Sequence, residues 1–156
     1  MADLGRYQVQ LRSPIFTNYH GNKIYSMGLP SSGGTTGKEV MNIVADFNLS
    51  KLDRVKAWHS IIEAERLAFA DRDRFIGDPK YIKVPLTGLL SQEFAKTRRQ
   101  SIPDRAPGKD FRALPGNPLP FQNEPSVSLT TIDPPQKTNQ PQDNSTTHLT
   151  VVDRFG

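Results

Sequence analysis

The sequence predicts an α+β fold, and three observations carry that expectation. Residues 3–28 hold β-rich runs around a glycine turn, and residues 36–100 show helical periodicity in three segments. The last stretch, Thr146 to Asp153, is β-branched with a period of two, so Thr146, His148, Thr150 and Val152 share one face and Thr147, Leu149 and Val151 the other. Asp153-Arg154-Phe155-Gly156 then reads as a turn toward a further strand, so the chain is expected to be a piece of a longer protein.

In order, Tyr7-Gln8-Val9-Gln10-Leu11 alternates as a strand does, and Pro14 interrupts it. Ile15–Tyr19 and Asn22–Ser26 bracket His20-Gly21, where glycine can take the positive φ of a tight hairpin turn. The following Pro30-Ser31-Ser32-Gly33-Gly34-Thr35-Thr36-Gly37-Lys38-Glu39 invites comparison with a phosphate-binding loop, which needs glycine, four residues, then Gly-Lys-Ser/Thr. Counting back from Gly37-Lys38, the glycine position holds Ser32 and the hydroxyl position holds Glu39, so both defining positions fail. The stretch reads instead as a turn opening a helix, with Thr36 and Glu39 spaced as a capping box and Val40, Ile43, Val44 and Phe47 at helical spacing.

A longer helix is expected from Leu52 or Asp53 to about Arg74. Val55, Trp58, Ile62 and Phe69 form its apolar stripe, Arg54, Lys56, Glu63 and Arg72 its polar surface, and Ala64, Ala68 and Ala70 suit close packing. His59 and Glu63 stand one turn apart, but a zinc protease motif would need a second histidine in His-Glu-x-x-His, so a hydrogen-bonded pair is expected. Gly77-Asp78-Pro79 ends this unit. Tyr81 to Leu90 reads as a short extended piece and turn, after which Ser91 caps a third helix from Gln92 to about Gln100, with Phe94 and Ala95 facing inward. From Pro103 to Asn144 the chain is rich in proline and polar residues, with isolated apolar positions such as Phe111, Leu114 and Phe121. Such a tract buries too little to offset its ordering entropy and reads as a flexible connector of about 40 residues. The organisation expected is therefore residues 1–102 as hairpin and helices, 103–145 as connector, and 146–156 as a strand cut short.

Composition narrows the function classes. Hydrophobic residues make up 35% of the 156, and Lys plus Arg number 20 against 16 Asp plus Glu. The net charge of +4 is scattered, with Arg98-Arg99 the densest helical pair, so no basic stripe interleaved with aromatics marks a nucleic-acid partner. The absence of cysteine removes disulfides, thiolate catalysis and cysteine metal sites. No apolar run approaches the roughly 20 residues of a membrane span, and the first residues do not read as a signal peptide. No cofactor or metal is expected.

Taken together, several motifs resemble those of the γ-glutamyltransferase (glutathione hydrolase) family, within the N-terminal nucleophile hydrolases. They are Asp3-Leu4 with Tyr7, Arg12-x-Pro14, Tyr19-x-Gly21, Pro30-Ser31-Ser32-Gly33-Gly34, His59 with Glu63-Ala64, Ala68-Phe69-Ala70-Asp71-Arg72, Gly77-Asp78-Pro79 and Val84-Pro85. Above all they include Thr146-Thr147-His148 leading into Val151-Val152-Asp153. The resemblance implies a four-layer αββα sandwich, incomplete in this chain. It also implies a precursor that cuts itself between Ser145 and Thr146, so that residues 1–145 belong to the large subunit and Thr146 begins the small one.

Thr146 is then the nucleophile, with Thr147 and His148 supporting the strand and its hydrogen bonds. A threonine hydroxyl needs a base beside it, and a freed α-amino group with a reference pKa of about 8 supplies one on the same residue. The implied substrates are glutathione or other γ-glutamyl donors, with water or an amino acid or peptide as acceptor. The implied protein partners are the N-terminal large-subunit region and the remainder of the small subunit. The arginine that holds the substrate carboxylate lies upstream of Met1 in the family, and the oxyanion glycines lie beyond Gly156. The family setting is periplasmic, secreted or at the cell surface. Two other readings stay open: a cephalosporin or glutaryl acylase of the same superfamily, and a truncated, non-enzymatic remnant that only binds or scaffolds.

Overall fold

The hairpin forms where the turn residues place it. In the computed structural model, which describes residues 5–122, β1 (Ile15–Tyr19) pairs antiparallel with β2 (Asn22–Ser26), Thr17 opposite Ile24 and Tyr19 opposite Asn22. His20 at φ 50° and Gly21 at φ 82° make the two-residue turn, both in the left-handed region that matches the strands' twist. The strand expected at Tyr7–Leu11 does not form. Tyr7, Val9 and Leu11 are exposed, and alternation without a neighbouring strand to complete its hydrogen bonds gives only extended chain.

Among the described residues four α-helices follow: α1 (Gly33–Val44), α2 (Arg54–Phe75), the single turn α3 (Leu86–Leu89) and α4 (Gln92–Gln100). α1 is the central element, in contact with the hairpin, α2, α3 and α4. The hairpin comes so close to it that a Cβ on Gly34 would collide with the Met27 carbonyl oxygen. Asp53 caps α2 by accepting the Lys56 N–H at 3.0 Å, and Ser91 caps α4 by accepting the Phe94 N–H at 3.0 Å. The apolar core joins Ile43 and Val44 of α1, Ala64, Leu67 and Ala68 of α2, and Ala95 of α4. Phe94 is buried on the neighbouring face of α4.

Three expectations are corrected. The capping box at Thr36 and Glu39 is absent, because α1 begins three residues earlier at Gly33 and places both side chains in its buried interior. The apolar stripe of α2 does not face the core: Val55 is 78% exposed, Trp58 55%, Ile62 48% and Phe69 51%. The buried face carries Ser60, Glu63, Ala64, Leu67, Ala68 and Asp71, since α1 and α4 approach where side chains are short enough to admit another backbone. His59 and Glu63 do not bond each other either. His59 donates its Nε2–H to the Pro103 carbonyl at 2.6 Å, and Glu63 pairs with Arg66 at 3.2 Å.

Residues 103–122, the first part of the expected connector, lie along α2 and α4, so packing continues past residue 102. Arg66 reaches the Phe111 carbonyl at 2.7 Å and its guanidinium stands over the Phe111 ring. Pro118 is buried against Gly88 of α3, and Gln122 accepts the Gly88 N–H at 3.2 Å. Backbone groups of Pro103, Phe111, Leu114 and Gly116 all bond to helix side chains, which is how a stretch so poor in apolar side chains is held.

Candidate functional site

The residues to which the sequence assigns chemistry, Ser145, Thr146, Thr147 and His148, lie outside the described residues. What the structure does place is the Pro30–Gly34 motif and the cluster beneath it. Ser32 stands at the start of α1, but its hydroxyl caps nothing; it accepts from Arg72 Nε at 3.0 Å, tying the motif to the end of α2. Pro30 to Gly34 thereby acts as a turn, the Ser31 N–H donating to the Gly28 carbonyl at 3.2 Å.

Beneath this turn lies a buried ionisable cluster drawn from three helices. Glu39 of α1 and Asp71 of α2 are wholly buried, and Arg98 of α4 is 6% exposed. Arg98 Nε stands 2.7 Å from Asp71 Oδ2, and its terminal nitrogen donates to the carbonyls of Leu67 at 3.2 Å and Leu114 at 2.9 Å. The other Asp71 oxygen accepts the Gly116 N–H at 2.5 Å. Burial, together with the adjoining Asp71 carboxyl, pushes the Glu39 pKa up to about 10, which makes Glu39 a neutral acid beside Asp71. Burial also raises Asp71, against the lowering influence of the Glu39 hydrogen bond and of Arg98. The neighbouring hydroxyls of Thr35 and Thr36 are buried with no hydrogen-bond partner among the described residues.

Sequence reasoning missed this cluster. Asp71 follows Ser60, Ala64, Leu67 and Ala68 at helical spacing, and a carboxylate continuing a small-residue face was the signal available. Arg98 and Arg99, the densest basic pair on a helix, both turn inward. Arg99 donates to the carbonyls of Asn42 at 2.9 Å and Ile43 at 2.6 Å and pairs with Asp46, satisfying the orphan carbonyls at the end of α1. Among the described residues no group of three His, Cys, Asp or Glu side chains is gathered to hold a metal, and no helix is long and apolar enough to cross a membrane.

Comparison with known proteins places these parts. A family model described as gamma-glutamyltranspeptidase matches residues 1–156. The glutathione hydrolase proenzyme of Bacillus subtilis subsp. natto is 36% identical over 157 residues, covering 99% of this chain and 26% of that protein. The glutathione hydrolase proenzyme of Escherichia coli (strain K12) is 31% identical over 156 residues, covering 99% of this chain and 23% of that protein. The chain thus spans about a quarter of the length of these curated relatives.

Among solved structures, the Helicobacter pylori gamma-glutamyltranspeptidase superposes with TM-score 0.68 at 35% identity, over 74% of this chain and 34% of that one. A cephalosporin acylase from Bacillus halodurans superposes with TM-score 0.67 at 31% identity, over 76% of this chain and 21% of that one. Both neighbours support the α+β reading and the placement of this piece within an N-terminal nucleophile hydrolase fold. With its sequence matched from end to end and its described fold shared, the chain belongs to the gamma-glutamyltranspeptidase family.

Proposed function

We propose that this chain is the region of a γ-glutamyl transferase or hydrolase that carries the self-processing junction, with Ser145 the last residue of the large subunit and Thr146 the first of the small one. The observation that carries this reading is a family match running through residue 156, which takes in Thr146-Thr147-His148. That the relatives are named proenzymes supports a cleavage step.

In the precursor, Thr146 Oγ attacks the Ser145 carbonyl carbon, the peptide C–N bond breaks, and the acyl group passes to oxygen as an ester. Water then hydrolyses that ester, leaving a carboxylate on Ser145 and a free α-amino group on Thr146. That amine is the base for the second reaction. Thr146 Oγ attacks the γ-glutamyl carbonyl of glutathione or a related amide, the amine leaves with a proton, and a γ-glutamyl-threonine ester remains. Water or the amino group of an amino acid or peptide resolves it. Thr147 and His148 hold the strand in register. The N-terminal large-subunit region and the rest of the small subunit complete the pocket, and the whole protein works in the periplasm, at the cell surface or outside the cell.

The test is intact mass and N-terminal sequencing of the whole protein beside a Thr146→Ala variant. The wild type is expected to yield a new N-terminus Thr146-Thr147-His148 and to hydrolyse a γ-glutamyl anilide, while the variant stays whole and inactive. A folded wild type that remains a single chain would overturn the reading. The acylase alternative has its own support, since Acylase ACY 1 proenzyme of Pseudomonas sp. (strain SE83) is 36% identical over 103 residues. It covers 65% of this chain against 99% for the glutathione hydrolases. Turnover of a glutaryl or cephalosporin amide in preference to the γ-glutamyl anilide would favour it.

A further inference from the structure

We propose that Glu39, Asp71 and Arg98 form a one-proton clasp that fixes the strap of residues 103–122 to α2 and α4, and that withdrawing the shared proton loosens the strap while the helices stay packed. The argument begins with charge. Two carboxyl groups and one guanidinium are enclosed together, all at 6% exposure or less, so two ionised carboxylates would leave one buried negative charge uncompensated. One proton removes it, and Glu39 is the carboxyl that holds it, since Arg98 sits against Asp71 at 2.7 Å.

Asp71 is the joint of the clasp. It receives the Glu39 proton on one side and Arg98 on another, and its remaining bond runs to the Gly116 N–H of the strap at 2.5 Å. Arg98 extends the hold to the Leu114 carbonyl two residues earlier. Gly116 itself is pressed between Arg98 and the Phe94 ring, where a Cβ would not fit, so the strap can seat here only with glycine. When the proton leaves, two carboxylates face each other in a buried site, and their separation draws Asp71 away from Gly116.

Among the described residues Arg98 is the one cation acting on the two carboxyl groups. Lys38 on α1 reaches the Phe16 carbonyl, Glu63 and Arg66 on α2 pair together, Arg72 reaches Ser32 and Asp73, and Arg99 on α4 pairs with Asp46. α3 carries no ionisable side chain, His20 and Lys23 of the hairpin sit at its turn, and the strap's own Asp104, Arg105, Lys109, Asp110 and Arg112 are exposed. The direction follows from linkage. The Glu39 pKa is raised from 4.5 to about 10, so the proton-linked hold is complete below about pH 4.5, is lost progressively as pH rises from there, and is gone above about pH 10. The clasp uses none of the residues assigned to Thr146 chemistry and stands apart from that reading.

Hydrogen exchange of the whole protein, followed by mass spectrometry on the peptides covering residues 103–122 and corrected for the intrinsic pH dependence of exchange, tests this. In the wild type the strap's opening constant should rise by up to about tenfold per pH unit toward the alkaline side, while α1 and α2 peptides keep their protection. Glu39→Gln, which can donate to Asp71 without titrating, should abolish that added pH dependence. Asp71→Asn keeps an oxygen that accepts the Gly116 N–H but cannot carry the second negative charge, so its strap should also lose the added pH dependence. Coincident wild-type and Glu39→Gln profiles would overturn the proposal, as would strap and helices losing protection together. If Asp71→Asn does not fold, the Glu39→Gln comparison decides alone.

Discussion

Replacing Arg98 by methionine keeps most of the side chain's length while removing every polar contact, so it isolates what the guanidinium contributes. Three interactions are lost: the 2.7 Å pair with Asp71 and the bonds to the Leu67 and Leu114 carbonyls. The Leu114 side chain is 77% exposed, so its carbonyl has solvent close by, whereas the bond to Leu67 is buried and leaves an orphan. Removing one partner of a buried ion pair costs about 3–5 kcal/mol and a stranded buried acceptor about 1–3 kcal/mol. Proton uptake by Asp71 offsets part of this, so the expected loss is about 4 kcal/mol. The assay is urea unfolding of the chain, followed by the fluorescence of its single tryptophan, Trp58.

The pH dependence supplies a second readout. Without Arg98 the Asp71 carboxyl is raised further, and a raised acid contributes stability that is complete below its unfolded pKa and lost as pH rises through the folded one. The deficit of Arg98→Met should therefore grow toward alkaline pH. Adding Asp71→Asn to Arg98→Met removes the uncompensated charge and should recover about 1–3 kcal/mol. An Arg98→Met chain within about 1 kcal/mol of wild type, with no coupling to Asp71→Asn, would refute the claim that this pair joins α2 to α4.

Two further outcomes are expected. Gly88→Ala should destabilise the chain by about 1–3 kcal/mol, because the new methyl group meets the Pro118 carbonyl; peptides around residues 118–122 should lose exchange protection first. Ser91→Ala removes the side-chain oxygen that caps α4 and should cost about 1 kcal/mol by urea unfolding, with Gly recovering most of it, while Asp53→Ala removes the exposed cap of α2 and should lower the urea midpoint less.

The elements legible from sequence are those whose cause lies within a few residues. The His20-Gly21 turn, the caps Asp53 and Ser91, and the span of α2 were all readable because the bonds that fix them join residues at most four apart. Thr146 was assigned differently, through a resemblance of motifs extending across the chain, and it lies outside the described residues. The inward placement of Phe94 and Ala95 also followed from the spacing on a short helix with few apolar choices.

Burial on the other helices could not be read that way. The α2 pattern offers two faces, one large and apolar with Val55, Trp58, Ile62 and Phe69, the other small and polar with Ser60, Ala64, Ala68 and Asp71. Hydrophobicity favours the first, yet α1 and α4 lie against the second, where short side chains let backbones come close. Glu39 shows the same limit. Three residues after a threonine it looks like a surface cap, and only the start of α1 at Gly33 turns it into the interior. Its proton and the strap it helps to hold follow from helices brought together across distant parts of the sequence. Local sequence thus determined the hairpin turn and the capped starts of α2 and α4. Tertiary packing decided which faces were sealed from water, and with them which carboxyl group must stay neutral.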